Sequence, residues 1–482
     1  VKFEPSLILY ELRIFLLLIL TFTGISFYSQ SFTTIDASNS PYYILTDTTI
    51  NRGDTLLLSA GAELFMGDSV NVQVKGVLII KGDSNNLASV KPMNPGIGWG
   101  EFKIYTHVDS LHVENAYVED GRFLSFNSVN HFNNVTFVNN QNLRWNDAIS
   151  RFIGGELKIE KNNVYGSNKG EGFLVHSIDN PQVLNCYFQA IPDAVEYLNC
   201  NNGRIGKCQF FDMNDDAIDL NNCYKTIIDS NLIVNVANRG MEIGSENFGS
   251  STDIFVYRNI LVNCAEGVSF KEGSNGLILN NTFHNNRIGV TTLAQGRPNK
   301  GSSVDVLNSI FHENDIPIFS DDSSSYMANF NSSSSTILLG DSNLFEVPGF
   351  NDPVNLDYSL TKSSKCIDAG QKSGALDPDG TYADLGAVYF HQDTVSSLLE
   401  NSLTELLLMP NPVIDQLTII VNEGIDKIQI YNTKGQLQKN IIVTSSYAGE
   451  KSTINVSDLK IGMYVVILTK GTKQLQQKFI KL

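Results

Sequence analysis

Apolar and polar positions in the middle of the chain recur in rows, not in helical stripes. Set one above another, the rows read "SIDNPQVLNCYFQAIPDAVEYLNC", "NNGRIGKCQFFDMNDDAIDLNNC", "YKTIIDSNLIVNVANRGMEIGSENFGS", "STDIFVYRNILVNCAEGVSFKEG", "SNGLILNNTFHNNRIGVTTLAQGRPNKGS" and "SVDVLNSIFHENDIPIFSDD". An aliphatic column runs through Val183, Ile205, Ile228, Val256, Ile278 and Val306. Three residues on, a small or polar column runs through Cys186, Cys208, Asn231, Asn259, Asn281 and Ser309. Two further on come Phe188, Phe210, Ile233, Leu261, Phe283 and Phe311. The longer steps fall where "ENFGSS" and "AQGRPNKGS" are inserted. The runs are short, β-branched or aromatic, and punctuated by Asn and Gly, which excludes amphipathic helices.

A repeat in the low twenties, with about three short strands per turn, predicts a parallel β-helix whose coils stack ~4.8 Å apart. Like residues then lie over like, and the Asn column can hydrogen-bond along the axis at a tight turn. Right-handedness is the ordinary choice for parallel crossovers. A weaker version of the pattern extends upstream through Val113, Phe132 and Ile159. The expected plan is irregular capping coils at 41–105, regular coils at 106–320 and closing coils at 321–390, together spanning 31–390. The segments "YSLTKSSKCIDAG" and "DPDGTYADLGAVYF" resemble the closing coil of bacterial right-handed β-helix proteins.

The two ends read differently. "LRIFLLLILTFTGISFYSQ" has a cation, a short apolar run and then small polar residues, so residues 1–30 are expected to be an export signal. No later stretch is long enough for a membrane span, and none is expected in the mature chain. After a linker at 391–405, residues 406–482 carry short alternating runs with a hairpin-type turn at "NTKG", which predicts a small Ig-like β-sandwich. The whole chain is therefore expected to be all-β. Asn411, Pro412, "IQIYNTKGQ", "LKIGMYVVIL" and the terminal "KFIK" resemble the C-terminal sorting domain of the type IX secretion system of Bacteroidetes, over about the last 75 residues. That resemblance implies the secretion machinery as a partner and a secreted or outer-surface location.

A formal net charge of −17 excludes nucleic acid as an expected partner. Cys186 lies over Cys208, and Cys200 over Cys223, as either disulfides or buried thiols. His112, His131, His176, His284, His312 and His391 fall on different coils with no metal-ligand spacing between them, so no metal site is expected there. Trp99 and Trp145 could stack on sugars, but Trp99 fits better as a plug for the first coils. "DPDGTYAD" has the Asp spacing of a calcium loop without its late Glu, and reads as a turn.

The chemistry that stands out is acidic. Asp193, Asp216 and Arg239 share one turn position, with Asp215 beside Asp216. Glu196, Asp219 and Glu242 share the next outward position, since Val195, Ile218 and Met241 should point inward. With "DD", "NRGMEIGS" and "SFK" on successive coils, the arrangement resembles the polygalacturonase family of inverting glycoside hydrolases. The resemblance implies Asp216 as general acid, Asp193 and Asp215 as activators of water, and Lys271 as holder of a substrate carboxylate. Arg239 stands where that family has His, and Ser269 where it has Arg. The coil from Arg239 to Asn286 also resembles bacterial surface β-helix proteins with no established activity. No cofactor is expected, although clustered carboxylates could hold Ca²⁺. The reading carried forward is an exported β-helix that binds a polysaccharide or serves adhesion, contacting ligand through Glu196, Asp219, Arg239, Glu242 and Lys271. The alternative is a polysaccharide-degrading hydrolase or lyase using Asp193, Asp215 and Asp216.

Overall fold

The computed structural model describes residues 31–482 apart from 106–110, 141–142, 144–146, 246, 296–299, 393–405, 410, 422–425, 433–434, 444–450 and 471–472. The expected export signal at 1–30, Trp145 and nearly all of the expected linker lie outside the described residues. Thirty-three strands join into one parallel hydrogen-bonded system of about 12 coils. No helix among the described residues is long and apolar enough to cross a membrane.

The columns are register partners. Val183 pairs with Ile205, Ile205 with Ile228, Ile228 with Val256, Val256 with Ile278 and Ile278 with Val306. The same ladder continues upstream through Ile159, Phe132 and Val113. Phe188 stacks on Phe210 at 4.9 Å, and Phe283 on Phe311 at 4.8 Å, which is the coil spacing itself. These side chains form one continuous core, with Ile228 fully buried.

The polar column works as a relay. The N–H of Cys208 donates to Asn231 Oδ1 (2.9 Å), that of Asn231 to Asn259 Oδ1 (2.9 Å) and that of Asn259 to Asn281 Oδ1 (2.8 Å). Ser309 and Asn331 continue it. Each Asn amide also donates to a carbonyl, as Asn231 Nδ2 does to Ile205 O at 3.0 Å. The residue before each rung is left-handed, for example Ser230 (φ 58°), Asn280 (φ 53°) and Asn308 (φ 50°). Asn tolerates that conformation best among non-glycine residues, so Asn-rich turns suit this corner twice over. A second relay links Cys264 N–H to Asn286 and Asn286 N–H to Asn314.

Two expectations change. Residues 41–105 are not irregular capping coils. They run as short parallel strands in the same register, with Phe32 on Thr55 and Thr55 on Val77. Alternation such as "TLLL" and "ELFM" already has the one-face-buried period that the coil needs. Nor does the stretch after 360 form a coil, for residues 361–392 contain no strand. It wraps the flank of the coils, tied down by Arg258 to Asp377 (3.0 Å), Asn280 Nδ2 to Asp384 O (2.7 Å) and Gln371 N–H to Asn308 Oδ1 (2.9 Å). "DPDGTYAD" is a turn satisfied internally, with Asp377 accepting from the Asp384 N–H at 2.7 Å. Trp99 is buried against Phe102, and its indole donates to Glu119 O, so no face is left for a sugar.

All six cysteines are buried free thiols. Cys186 and Cys208 are adjacent on the axis, the Cys186 N–H lying 3.4 Å from Cys208 Sγ. The tail forms a three-stranded and a four-stranded antiparallel sheet around Leu417, Ile419, Ile428, Ile430, Val466 and Phe479.

Candidate functional site

The corner that opens the strands Val195–Leu198 and Ile218–Asn221 gathers the acids. Glu196 pairs in register with Asp219, and Asp219 with Glu242. Asp193 Oδ1 accepts the N–H of Asp216 (2.9 Å), and Asp216 Oδ1 accepts the N–H of Arg239 (2.7 Å). Asp215 Oδ1 accepts from Asn238 Nδ2 at 2.7 Å. The column is thus partly another relay, and all three candidate catalytic carboxylates are engaged in joining coils.

The cations are engaged as well. Arg239 bonds Glu242 and approaches Asp216 at 3.7 Å and Glu266 at 3.6 Å. Lys271 is 4% exposed and its ammonium bonds Glu242. The structure therefore brings Asp193, Asp215, Asp216, Asp219, Glu242, Arg239 and Lys271 together, and it buries Asp216, Lys271 and also Glu242, which was expected to face outward.

Sequence reasoning missed three members. Glu171 belongs to the Asp193 column, 22 residues upstream, where the Gly172 N–H bonds Asp193 O. Glu266 is the register partner of Arg239. Arg151 pairs with Leu174, which pairs with Glu196. One more row upstream would have shown Glu171, and Glu266 stood in a row already aligned, displaced from the column by the irregular register after Val236.

Burial dominates the electrostatics. Desolvation, reinforced by Glu196 and Asp193, pushes the Glu171 carboxyl up to about 9. Desolvation pushes Asp193 up to about 7, with Asp215, Glu196 and Glu242 adding repulsion. Asp216 and Asp219 lie well above the usual carboxylate range, first through burial and then through Glu242. A crowd of part-buried carboxyls can only ionise in part, so several retain protons near neutrality. One oxygen each from Asp193, Asp215 and Asp216 lies within 4.8 Å of the others. Even allowing for nearest oxygens, that is tight against the roughly 6.5–9.5 Å between carboxyl groups by which an inverting glycosidase admits water. It matches the span between oxygens around one Ca²⁺ bound at about 2.3–2.6 Å.

Beside this column runs an open groove of about 700 Å³ lined by Asp212, Asn214, Asn235, Asn263, Asn285 and Arg287, among others. Its lining carries a polar ladder: Asn263 Nδ2 donates to Asn235 Oδ1 (2.7 Å) and Asn235 Nδ2 to Asp212 Oδ1 (3.0 Å), while Gln189 Nε2, outside the lining, donates to Asp212 Oδ2 (3.3 Å). The groove residues immediately precede the acidic corner on each coil. The acids therefore flank the groove, while the candidate catalytic residues and Lys271 are not among its lining.

The histidines correct a further expectation. His284 and His312 are 28 residues apart but sit on adjacent coils in register, rings stacked at 5.3 Å, with Glu313 beside both. A spacing of 28 carries no linear metal signature; the inserted loop that lengthens this coil hides the contact.

Residues 121–252 match the family described as right handed beta helix region, and residues 408–482 match the secretion system C-terminal sorting domain. No curated protein matches. Among solved structures, the catalytic unit of a GH87 α-1,3-glucanase from Streptomyces thermodiastaticus strain HF3-3 is similar at 11% identity and a TM-score of 0.35, over 64% of this chain and 65% of that one. Tailspike protein 3 of bacteriophage CBA120 aligns at 10% identity and a TM-score of 0.28, over 63% and 53%. The A-module of the Azotobacter vinelandii mannuronan C-5 epimerase AlgE6 aligns at 12% and 0.27, over 61% and 90%. The chain thus spans less than two thirds of the first two structures it matches. The coil is a right-handed β-helix, and the tail is a type IX sorting domain that marks a secreted or cell-surface protein.

Proposed function

We propose that the exported coil binds an extracellular polysaccharide along the groove beside the acidic corner. The observation that carries this reading is the polar ladder Asp212–Asn235–Asn263 along the groove. It presents donors and acceptors at the coil repeat of ~4.8 Å, and an extended chain of pyranose rings repeats on the same scale. Every free lone pair or N–H of such a ladder can meet a sugar hydroxyl, and water-mediated contacts extend its reach. Arg239 and Lys271 are committed to Glu242, and Arg287 in the groove lining is paired with Glu266 (3.3 Å), so among these described cations none stands without a carboxylate partner. An acidic corner without spare cations repels polyanions, and the ligand class is a neutral glycan.

The second reading is hydrolysis, favoured by one feature. Asp193 is only part-buried and its carboxyl is pushed up to about 7, the range of a general acid at neutral pH. Against it stand the engagement of Asp193 and Asp216 in joining coils and the tight carboxylate triplet. Ca²⁺ held by Asp193, Asp215 and Asp216 would serve binding by fixing the corner beside the groove.

Affinity electrophoresis of the purified protein through neutral and acidic polysaccharides, with and without Ca²⁺, tests both. Retardation by a neutral glycan, reduced in the double variant Asn235→Ala/Asn263→Ala, is the expected outcome. Reducing-end release that depends on Asp193 and Asp216 would establish hydrolysis instead, and no retardation by any glycan would sink the binding proposal.

A further inference from the structure

His284, His312 and Glu313 lie on the last regular coils, close in sequence to Asn285 and Asp315 of the groove. His312 Nδ1 shares a hydrogen bond with Ser334 Oγ on the next coil (2.8 Å), which leaves Nε2 as the nitrogen facing Glu313, 3.7 Å from Oε1. His284 Nδ1 stands 3.9 Å from Glu313 Oε2, and this nitrogen is buried without a hydrogen-bond partner. All three groups offer ligand atoms within 4.8 Å of one another.

A lid covers the two histidines and leaves Glu313 exposed. The antiparallel strands Phe350–Asp352 and Asp357–Leu360 cross this face. The Tyr358 ring lies 5.3 Å from His284, and the Phe350 ring 5.7 Å from His312. Tyr358 is 2% exposed, and its hydroxyl is buried with no partner. Two buried polar atoms, His284 Nδ1 and the Tyr358 hydroxyl, are thus left without hydrogen-bond partners beneath this aromatic pair, forgoing the bonds each makes in water.

We propose that His284, His312 and Glu313 bind a divalent cation of the zinc class. Bonds of about 2.0–2.1 Å to a tetrahedral Zn²⁺ place ligand atoms roughly 3.4 Å apart. The observed 3.7 Å (His312 Nε2 to Glu313 Oε1) and 3.9 Å (His284 Nδ1 to Oε2) are too long for hydrogen bonds, reach one carboxylate oxygen each, and lie within about half an ångström of that spacing. Two imidazoles and one carboxylate select Zn²⁺, Co²⁺, Ni²⁺ or Cu²⁺ over Ca²⁺ and Mg²⁺, which take oxygen ligands. Burial lowers the pKa of both histidines, keeping the imidazoles neutral and ready to ligate. Ser334 supplies the outer hydrogen bond that orients a ligand imidazole. A water is available for the fourth position.

The test uses the full chain stripped with chelator. Calorimetry with ZnCl₂ in excess Ca²⁺, which occupies the carboxylate corner, should give one Zn²⁺ per chain. Co²⁺ should produce the visible absorption of a four-coordinate site. His284→Gln/His312→Gln should weaken Zn²⁺ by more than the roughly 10–100-fold that loss of an outer-shell partner costs. Glu313→Gln, at a position 61% exposed and so without consequence for folding, should weaken it at least about tenfold. Absence of Zn²⁺ binding by the wild type, or Zn²⁺ binding indifferent to Glu313→Gln, overturns the proposal.

Discussion

Replacing Asn259 by Ala removes one rung of the polar relay. Asn259 Oδ1 accepts from the Asn231 N–H and from Asn231 Nδ2, both at 2.9 Å, while its Nδ2 donates to Ile228 O (2.8 Å) and Asn281 Oδ1 (3.0 Å). After truncation Asn231 Nδ2 keeps Ile205 O, and Asn281 Oδ1 keeps the Asn259 N–H. The Asn231 N–H keeps nothing, and Asn231 is 1% exposed. One orphaned backbone donor costs about 1–3 kcal/mol, and the weakened remaining bonds bring the total to about 3–5 kcal/mol. Asn259→Ser retains an acceptor, the role Ser309 already plays for the Asn281 N–H at 3.1 Å, and should recover about half of that loss. Urea unfolding gives the energies. Hydrogen exchange at the Asn231 amide gives the locality, which matters because long repeats need not unfold in two states. A loss below about 0.5 kcal/mol, with the Asn231 amide still protected, would refute the relay as a source of stability.

Ile228→Asp places an unpaired carboxylate in the aliphatic stack, and thermal melting should show a loss of several kcal/mol. Asp193 has its folded pKa raised from 3.8 to about 7 by burial first, so the folded state holds a proton that the unfolded state releases between those values. Stability from this group is present below pH 4 and lost as pH rises to 7, and Glu171 extends the loss toward 9. Melting temperature should therefore fall from pH 5 to pH 8 in the wild type and fall less in Asp193→Asn; equal slopes would contradict the burial argument. Removing residues after Asn401 should leave the protein in the cell envelope of its host, and fractionation that finds it outside would disprove the sorting role.

The coil was legible because its repeat is written in residue size. Val183 to Val306 and Phe188 to Phe311 needed only a ruler, and the Asn column followed from the chemistry of tight turns. The sorting tail was legible through spaced motifs. The acidic columns were legible as columns, but their chemistry was not. Whether Arg239 and Lys271 face a groove or Glu242 depends on side-chain paths across coils, which no spacing encodes. Glu171 was missed because the rows began too late, and the His284–His312 pair because an inserted loop stretched its period. The lid carrying Tyr358 is antiparallel and outside the repeat, so the repeat could not announce it.

The relay has a consequence for how such a chain can change length. Each rung bonds only to the coil before and the coil after, and neighbouring rungs are interchangeable: Asn231, Asn259, Asn281 and Asn331 all present the same acceptor. A duplication or loss of one whole coil, some two dozen residues, would meet a matching acceptor and a matching stack on both sides of the seam. A loss of half a coil would meet neither and would turn core residues outward. Gene-level insertions should therefore survive in whole-coil quanta, which lets the groove lengthen by one coil spacing of ~4.8 Å at a time while the sorting tail and the first coils stay untouched.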